Sequence, residues 1–412
     1  MEITIVSRET IKPSSQTPHH LKTLKLSLFD QLAPRIYNPL IFFYSVSTND
    51  PLELLNKTNQ LKNSLSETLT SFYPLAGIEN DDQISLDCND EGAFYLEARV
   101  NHDMLEFLKP APKLELVNKL LPCQPYTIIP NPTLVPQVAI QVNFFECGGI
   151  AIGMCFLHTL LDVISMAAFL TSWAATSCKS SNENPSPEFV TASTLFPLQD
   201  VSDTNIRSYA AKMFKENEQI PTRRFVFDAQ AIESLKAMAK CESIHNSSRY
   251  EALTTFIWKC VITSFWKAPH GEMRSSMTAH MVDMRRRLQE PLSKYSMGNI
   301  VFTAHGVYEG NERKIDTKEL IGIVKQLVSE VDSDFLTSLQ GESGFLGLEE
   351  ILMLLNEVME QEKPFLFWFT SWCNLGLNDL DFGWGQPIWV GFKGGNGRSI
   401  VDQAVPNRHN KG

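Results

Sequence analysis

The sequence predicts an α/β protein of two similar-sized domains, and three observations carry that expectation. The chain has 412 residues, beyond the size at which a single hydrophobic core usually stops growing. Its first half alternates strand-like and helix-like patterns. A polar stretch rich in serine, asparagine and proline then precedes a second set of elements. The expected layout is an N-terminal domain over 1–180, a crossover linker over 181–222 and a C-terminal domain over 223–412.

Apolar residues at 54, 55, 61, 65 and 69 give Leu52 to Phe72 a helical spacing, which the turn-forming Tyr73-Pro74-Leu75-Ala76-Gly77 brings to an end. The runs 84–87 and 93–100 read as strands. Val138 to Phe145, then Gly148-Gly149, then Ile150 to Leu157 is the pattern of a hairpin of two buried strands around a glycine turn. The second of these strands delivers His158. Ile164, Ala167, Ala168, Leu170 and Trp173 then suit a buried helix, with Asp162 near its start as a cap. Beyond Arg224-Phe-Val-Phe-Asp228, helices are expected near 229–240, 249–265 and 317–332, and strands near 299–304, 364–370 and 386–392. There is no internal repeat and no low-complexity tract.

A net charge of −11 argues against a general affinity for nucleic acid or an anionic membrane. No apolar run approaches the length of a membrane span, and the first residues carry acids rather than a signal-like core, so a cytoplasmic location is expected. The eight cysteines lie far apart with no C-x-x-C pair, which fits reduced thiols better than a disulfide frame or a metal site. No metal and no permanently bound cofactor is implied.

Two short motifs stand out, His158-Thr-Leu-Leu-Asp162 and Asp381-Phe382-Gly383-Trp384-Gly385. Near neutral pH an imidazole can take a proton from a hydroxyl nucleophile and return it later. An isolated H-x-x-x-D is more often a histidine satisfied inside a core, so the first motif alone decides little. Asp162 either orients the imidazole or caps the helix and binds a distant arginine; the intervening turn favours the second, and Arg285-Arg286-Arg287 supplies the candidates, with Val282-Asp283-Met284 ahead and Pro291 and Gly298-Asn299 behind suggesting a buried strand and turn rather than a solvated face. The aromatic and glycine content of the second motif suits a rigid, tightly turned backbone. No G-x-S-x-G elbow and no phosphate-binding G-x-x-x-x-G-K-[ST] loop occurs.

With both motifs in view, the chain resembles the plant BAHD acyl-CoA-dependent acyltransferases, from its first residues to about 390. Further segments carry the likeness: Leu26-Ser-Leu-Phe-Asp30-Gln31, Phe72 to Gly77, Phe145-Glu-Cys-Gly-Gly149, Arg224 to Asp228, Met297-Gly-Asn299 and Thr370-Ser-Trp-Cys373. Their phrasing is most similar to the alkaloid acetyltransferase branch. The resemblance implies a fold of the chloramphenicol acetyltransferase type, two domains each with a mixed sheet flanked by helices and a channel at their interface. It implies His158 as general base, Asp162 and Arg285 as a structural pair, and Asp381 to Gly385 as a shape-keeping element. Ser247 and Ser248 match a stretch near the pantetheine and phosphate end of CoA. The implied reaction moves an acyl group, acetyl for preference, from acyl-CoA to a hydroxyl of an alkaloid or terpenoid, in a monomeric enzyme. Transfer to an amine and a shortened, non-catalytic relative are the alternatives.

Ile78, Leu161, Val163 and Gln386 depart from the family pattern. The chain also ends soon after Gly385, so an incomplete C-terminal domain with an exposed sheet edge and uncovered apolar surface is expected. The text after about 392 is polar and without periodicity.

Overall fold

The computed structural model describes residues 1–46, 50–80, 84–109, 114–127, 129, 131, 133, 135–179, 186–199, 224–240, 246–267, 274–310, 315–391 and 399–402. Most of the expected linker, 181–222, and most of the tail after 392 lie outside them. The architecture is α/β, with two mixed sheets covered by helices and a small third sheet.

The first sheet has six strands in the order Glu2–Ile11, Ala93–Asn101, Val138–Phe145, Ile150–Leu157, Tyr37–Tyr44 and Trp389–Gly391. Its centre is the expected hairpin, with Phe144 opposite Ile150 and Val138 opposite Phe156. Gly148 turns it at φ 84°, a left-handed conformation open to glycine at little cost. Every residue of Ile150–Leu157 is buried, because helices cover one face and the Met104–Leu108 region the other. The helices on the first face are Pro51–Ser71 and Val163–Ser177, whose Leu61, Leu65, Leu69, Phe169, Leu170 and Trp173 are almost fully enclosed. Asp50 caps the former through the Leu52 amide, with Pro51 in its first turn.

The second sheet runs Val301–Tyr308, Ser276–Asp283, Phe365–Ser371 and Ser399–Asp402. Its first two strands are antiparallel and the rest parallel. Helices Arg249–Trp266 and Thr317–Glu330 pack on it through Trp258, Ile262, Leu320 and Val324.

The expectation named no element for Glu2–Ile11 or Tyr37–Tyr44, and four further features differ from it. The run near 386–392 was grouped with the C-terminal elements, yet Trp389–Gly391 pairs with Phe43, Phe42 and Ile41 of the first sheet. Ser276–Asp283 extends the short buried strand expected at Val282 to Met284, and its polar side is buried as well, Thr278 and His280 bonding to each other and His280 to Tyr250. Ser399–Asp402 is a strand inside the supposedly aperiodic tail. Gly344–Gln361 is a helix not anticipated at all, and it leaves Leu346, Met353 and Leu354 exposed by 67%, 64% and 57%.

Candidate active site

His158 sits where the buried strand Ile150–Leu157 gives way to the helix Val163–Ser177. Its backbone N–H donates to Ile36 O at 3.0 Å, extending the ladder by one residue, while its side chain is half-buried. A short turn follows. Asp162 then takes extended backbone angles and its Oδ1 accepts from Ser165 N at 2.8 Å, the N-cap read from the sequence. Burial lowers the imidazole from its ordinary 6.5, and its own carbonyl, the charge of Asp162 and the Asn299 side chain partly oppose this. The neutral ring that a base must offer is therefore favoured.

Asp162 is 4% exposed and Arg285 is 1% exposed. Arg285 Nη1 reaches Asp162 Oδ2 at 2.7 Å and Nη2 reaches Oδ1 at 3.2 Å. Nε donates to Ser296 O, Nη1 also reaches Asp283 Oδ1, and Nη2 has Ser165 Oγ and Gly298 O within reach besides Asp162 Oδ1. Asp162 Oδ2 also accepts from Ile300 N. A carboxylate has about four acceptor sites, and Arg285, Ser165 and Ile300 occupy them. No place is left for the imidazole. Of the other two arginines, Arg287 caps the Thr317–Glu330 helix by donating to Val328 O and Val331 O, and Arg286 is exposed.

Asn299 and Asp30, which the sequence marks only as parts of two segments of the family likeness with no role attached, also enter the site. Asn299 Nδ2 donates to His158 O at 2.9 Å, to Thr159 O at 3.2 Å and to Asp30 Oδ1 at 2.9 Å. Asp30 Oδ1 also accepts from Asn299 N, while its Oδ2 accepts from Ser27 N and Ser27 Oγ in a capping box at the Leu28–Leu32 helix. The Ser27-x-x-Asp30 pattern foretells the cap. It does not foretell that the second oxygen meets Asn299, 269 residues away.

Asp381 folds its own backbone around one oxygen, Oδ1, which accepts from the amides of Gly383, Trp384 and Gly385 at 2.7, 3.0 and 2.9 Å. Gly383 and Gly385 take φ values of 105° and 100°, which L side chains resist. Phe382 is fully buried, 4.8 Å from Trp173 edge to face, and its carbonyl accepts from Ser177 Oγ and Gln60 Nε2. The motif thus grips the C-terminal end of the helix whose N-cap is Asp162. Fifteen residues separate those ends, about 22 Å at 1.5 Å per residue.

Ser248 is the N-cap of the Arg249–Trp266 helix, in a capping box with Glu251. Ser247 Oγ is buried without a partner. Among the described residues no hydrogen bond joins either serine to His158. A cavity of about 340 Å³ between the Ala229–Ala239 and Arg249–Trp266 helices, lined by Leu235, Phe256 and Lys259, contains none of these residues. No group of His, Cys, Asp or Glu among the described residues is arranged to hold a metal ion.

A model of the Transferase family matches residues 1–412. The chain belongs to this family, the plant BAHD acyltransferases. Epi-neemfruitin B 7-O-acetyltransferase of Melia azedarach is 38% identical to this BAHD chain, over 98% of it and 89% of the relative. Vinorine synthase of Rauvolfia serpentina is 36% identical over 93% and 86%. The crystal structure of vinorine synthase superposes with a TM-score of 0.79 at 33% identity, covering 98% of this chain and 92% of that one. The fold is accordingly the two-domain chloramphenicol acetyltransferase-like type, and the BAHD chain is an acyl-CoA-dependent O-acyltransferase.

Proposed function

We propose that the protein transfers an acetyl group from acetyl-CoA to a hydroxyl of a terpenoid or alkaloid, with His158 as general base and no covalent acyl-enzyme. The observation that carries the assignment of the base is a half-buried imidazole, whose neutral form burial favours, on a turn whose aspartate is fully committed elsewhere. Relatives named for acetylating limonoids and for vinorine formation support acetyl as the group and a polycyclic alcohol as the acceptor.

Both substrates bind together. Nε2 of His158 takes the hydroxyl proton as the oxygen attacks the thioester carbonyl. The tetrahedral intermediate collapses, the C–S bond breaks, and the imidazolium returns its proton to the CoA thiolate as the ester leaves. A base of this kind contributes about 10²–10⁴-fold, and holding donor and acceptor in one geometry supplies much of the rest. Asp162, Arg285 and the Asp381–Gly385 segment support the turn and the helix behind it. Ser247 and Ser248 stand near the CoA phosphates in this reading, with the N-terminus of a long helix as the supporting feature.

The enzyme acts as a cytoplasmic monomer in this reading. The seven described cysteines are free, which fits a reducing compartment, and no described helix is long and apolar enough to cross a membrane. The domain limits are 1–180 and 223–412, with the strand Trp389–Gly391 lent to the first sheet.

The test is a matrix of acyl-CoA donors against alcohol and amine acceptors, read by product mass, run for the wild type and His158→Ala. Ester formation that needs both acetyl-CoA and His158 is expected. Undiminished turnover by His158→Ala excludes the base, and amide products without esters exclude the alcohol acceptor.

A further inference from the structure

Cys155 stands on the strand Ile150–Leu157, just ahead of His158, and its side chain is fully buried. Its Sγ lies 3.8 Å from the carbonyl oxygen of Cys123, 32 positions earlier, and the two thiols are in hydrogen-bond contact with each other. Cys123 is half-buried, and both thiols are free. Cys147, Cys178 and Cys373 are engaged with other groups: Cys147 Sγ accepts from Met104 N, Cys178 Sγ donates to Asp381 O, and Cys373 Sγ accepts from Arg249.

The stretch that carries Cys123 is pinned on both sides. Upstream, Gln141 Nε2 donates to Lys119 O and Asn143 Nδ2 to Leu120 O, both from the neighbouring strand Val138–Phe145. Leu120 O approaches Gly153 so closely that a Cβ there would stand 2.1 Å from it. Downstream, Tyr126 N donates to Tyr37 O and Ile129 N to Arg35 O. The carbonyl between those two acceptors, on Ile36, is the one that accepts from His158 N. Tyr126 also holds φ 55°, a left-handed conformation that a tyrosine rarely takes unless its neighbours impose it. The strap from Lys119 to Tyr126 therefore has little slack, and it touches both the strand that delivers His158 and the segment that bonds its backbone.

We propose that Cys123 and Cys155 are a site of reversible disulfide formation by hydroperoxides, which draws the strap against the strand that delivers His158 and slows acyl transfer. Cys123 reacts first, being the one that solvent reaches. Its sulfur attacks a peroxide oxygen, the O–O bond breaks, and a sulfenic acid forms with release of an alcohol, or of water from hydrogen peroxide. The Cys155 sulfur then displaces the sulfenic oxygen, which leaves as water with the Cys155 proton. One hydroperoxide has taken up two electrons, and two thiols have become one disulfide. Burial pushes the Cys155 thiol well up, and the neighbouring thiol adds to this, so the inner partner stays protonated until the outer one has reacted. A disulfide holds its sulfurs about 2.05 Å apart, closer than any non-bonded contact, so closing the bond must move one of two backbones. A shift of about 1 Å in a reacting group can cost about 10²-fold. A dithiol reductant reverses the bond by exchange. The pairing stands apart from the role of His158; its effect on turnover rests on His158 being the base.

In the experiment the full chain is treated with hydrogen peroxide, its remaining thiols are alkylated, and an unreduced digest is read by mass. A peptide pair joining Cys123 to Cys155 is expected, together with a kcat for acetyl transfer lower by about tenfold or more that dithiothreitol restores. Cys123→Ser should turn over like wild type when reduced and keep that turnover in peroxide. Absence of the linked pair, with Cys123 carried on to the sulfinic acid or joined to another cysteine, overturns the proposal, and this reading needs neither a variant nor activity. Peroxide that inactivates Cys123→Ser as fully as wild type also overturns it, because another group is then the target. A linked pair with unchanged turnover, where His158→Ala is inactive, overturns the effect on His158 and leaves the base standing. Active His158→Ala removes the base, and the mass of the linked peptides still decides the bond.

Discussion

Arg285 and Asp162, 123 positions apart, meet in a two-pronged ion pair sealed from solvent, at 2.7 and 3.2 Å. The pair ties the loop after Ser276–Asp283 to the N-terminus of the helix that follows His158. Every remaining donor and acceptor of both groups is also engaged, so the pair lacks the unsatisfied valences that make many buried charges costly.

Breaking that pair from one side leaves a buried charge uncompensated. Arg285→Ala and Asp162→Ala should each lose about 3–5 kcal/mol of folding stability, measured by urea denaturation. Arg285→Lys should lose a large part of this too, because a point ammonium cannot span both oxygens. The double variant should be less unstable than the two single losses added together; strict additivity would argue against direct coupling.

Acid should loosen the second sheet through His280. That imidazole is fully buried, and burial pulls it down to about 3, with a smaller push from His305. Its folded value lies below its unfolded one, so the unfolded chain takes up the proton first. The stability it contributes is present above about pH 6.5 and is lost as pH falls toward 3. Between pH 7 and 5 the loss from this one group is about 2 kcal/mol. Asp30 acts in the opposite sense, since burial raises its carboxyl and the folded state then binds that proton more readily. Denaturation midpoints across this range, compared with His280→Gln, check the slope, which the variant should flatten.

Asp381→Ala removes the acceptor for three backbone amides at once and should lower stability by about 1–3 kcal/mol. The pH dependence of kcat per folded molecule should stay as in wild type, because the motif and His158 stand at opposite ends of one helix. A shifted acid limb in this variant would make the segment part of the chemistry.

The apolar face of Gly344–Gln361 predicts a solubility limit. Replacing Leu346, Met353 and Leu354 with lysine should raise the concentration at which light scattering begins. Each change should alter folding stability by no more than about 0.5 kcal/mol, since these side chains touch little.

The hairpin, the cap at Asp162 and the long helices other than Gly344–Gln361 were legible because each is a local pattern: a glycine turn between apolar runs, a carboxylate before an apolar stripe, a 3.6-residue period. Placing Arg285 beside Asp162 needed the family resemblance, since nothing in Arg285-Arg286-Arg287 shows which arginine is buried. Asn299 and Asp30 were legible only as parts of two segments of the family likeness, and their meeting stayed hidden for a related reason. Their value arises from one amide meeting a carboxylate and two carbonyls contributed by remote segments, and periodicity records no such meeting. What the alternation of Ser276 to Met281 does not reveal is that its polar side is buried too, because threonine and histidine satisfy each other and Tyr250 away from water.

The strand Trp389–Gly391 bears on how the protein is born. It lies along Tyr37–Tyr44, whose other neighbour is the hairpin strand Ile150–Leu157. On a ribosome adding about 5–20 residues per second, the first sheet could be nearly assembled for tens of seconds while its flank at Ile41 to Phe43 has no partner. An apolar, unpaired strand of this kind invites pairing with other chains. Synthesis therefore includes an interval in which this edge is open to other chains, closed only when residues 389–391 emerge.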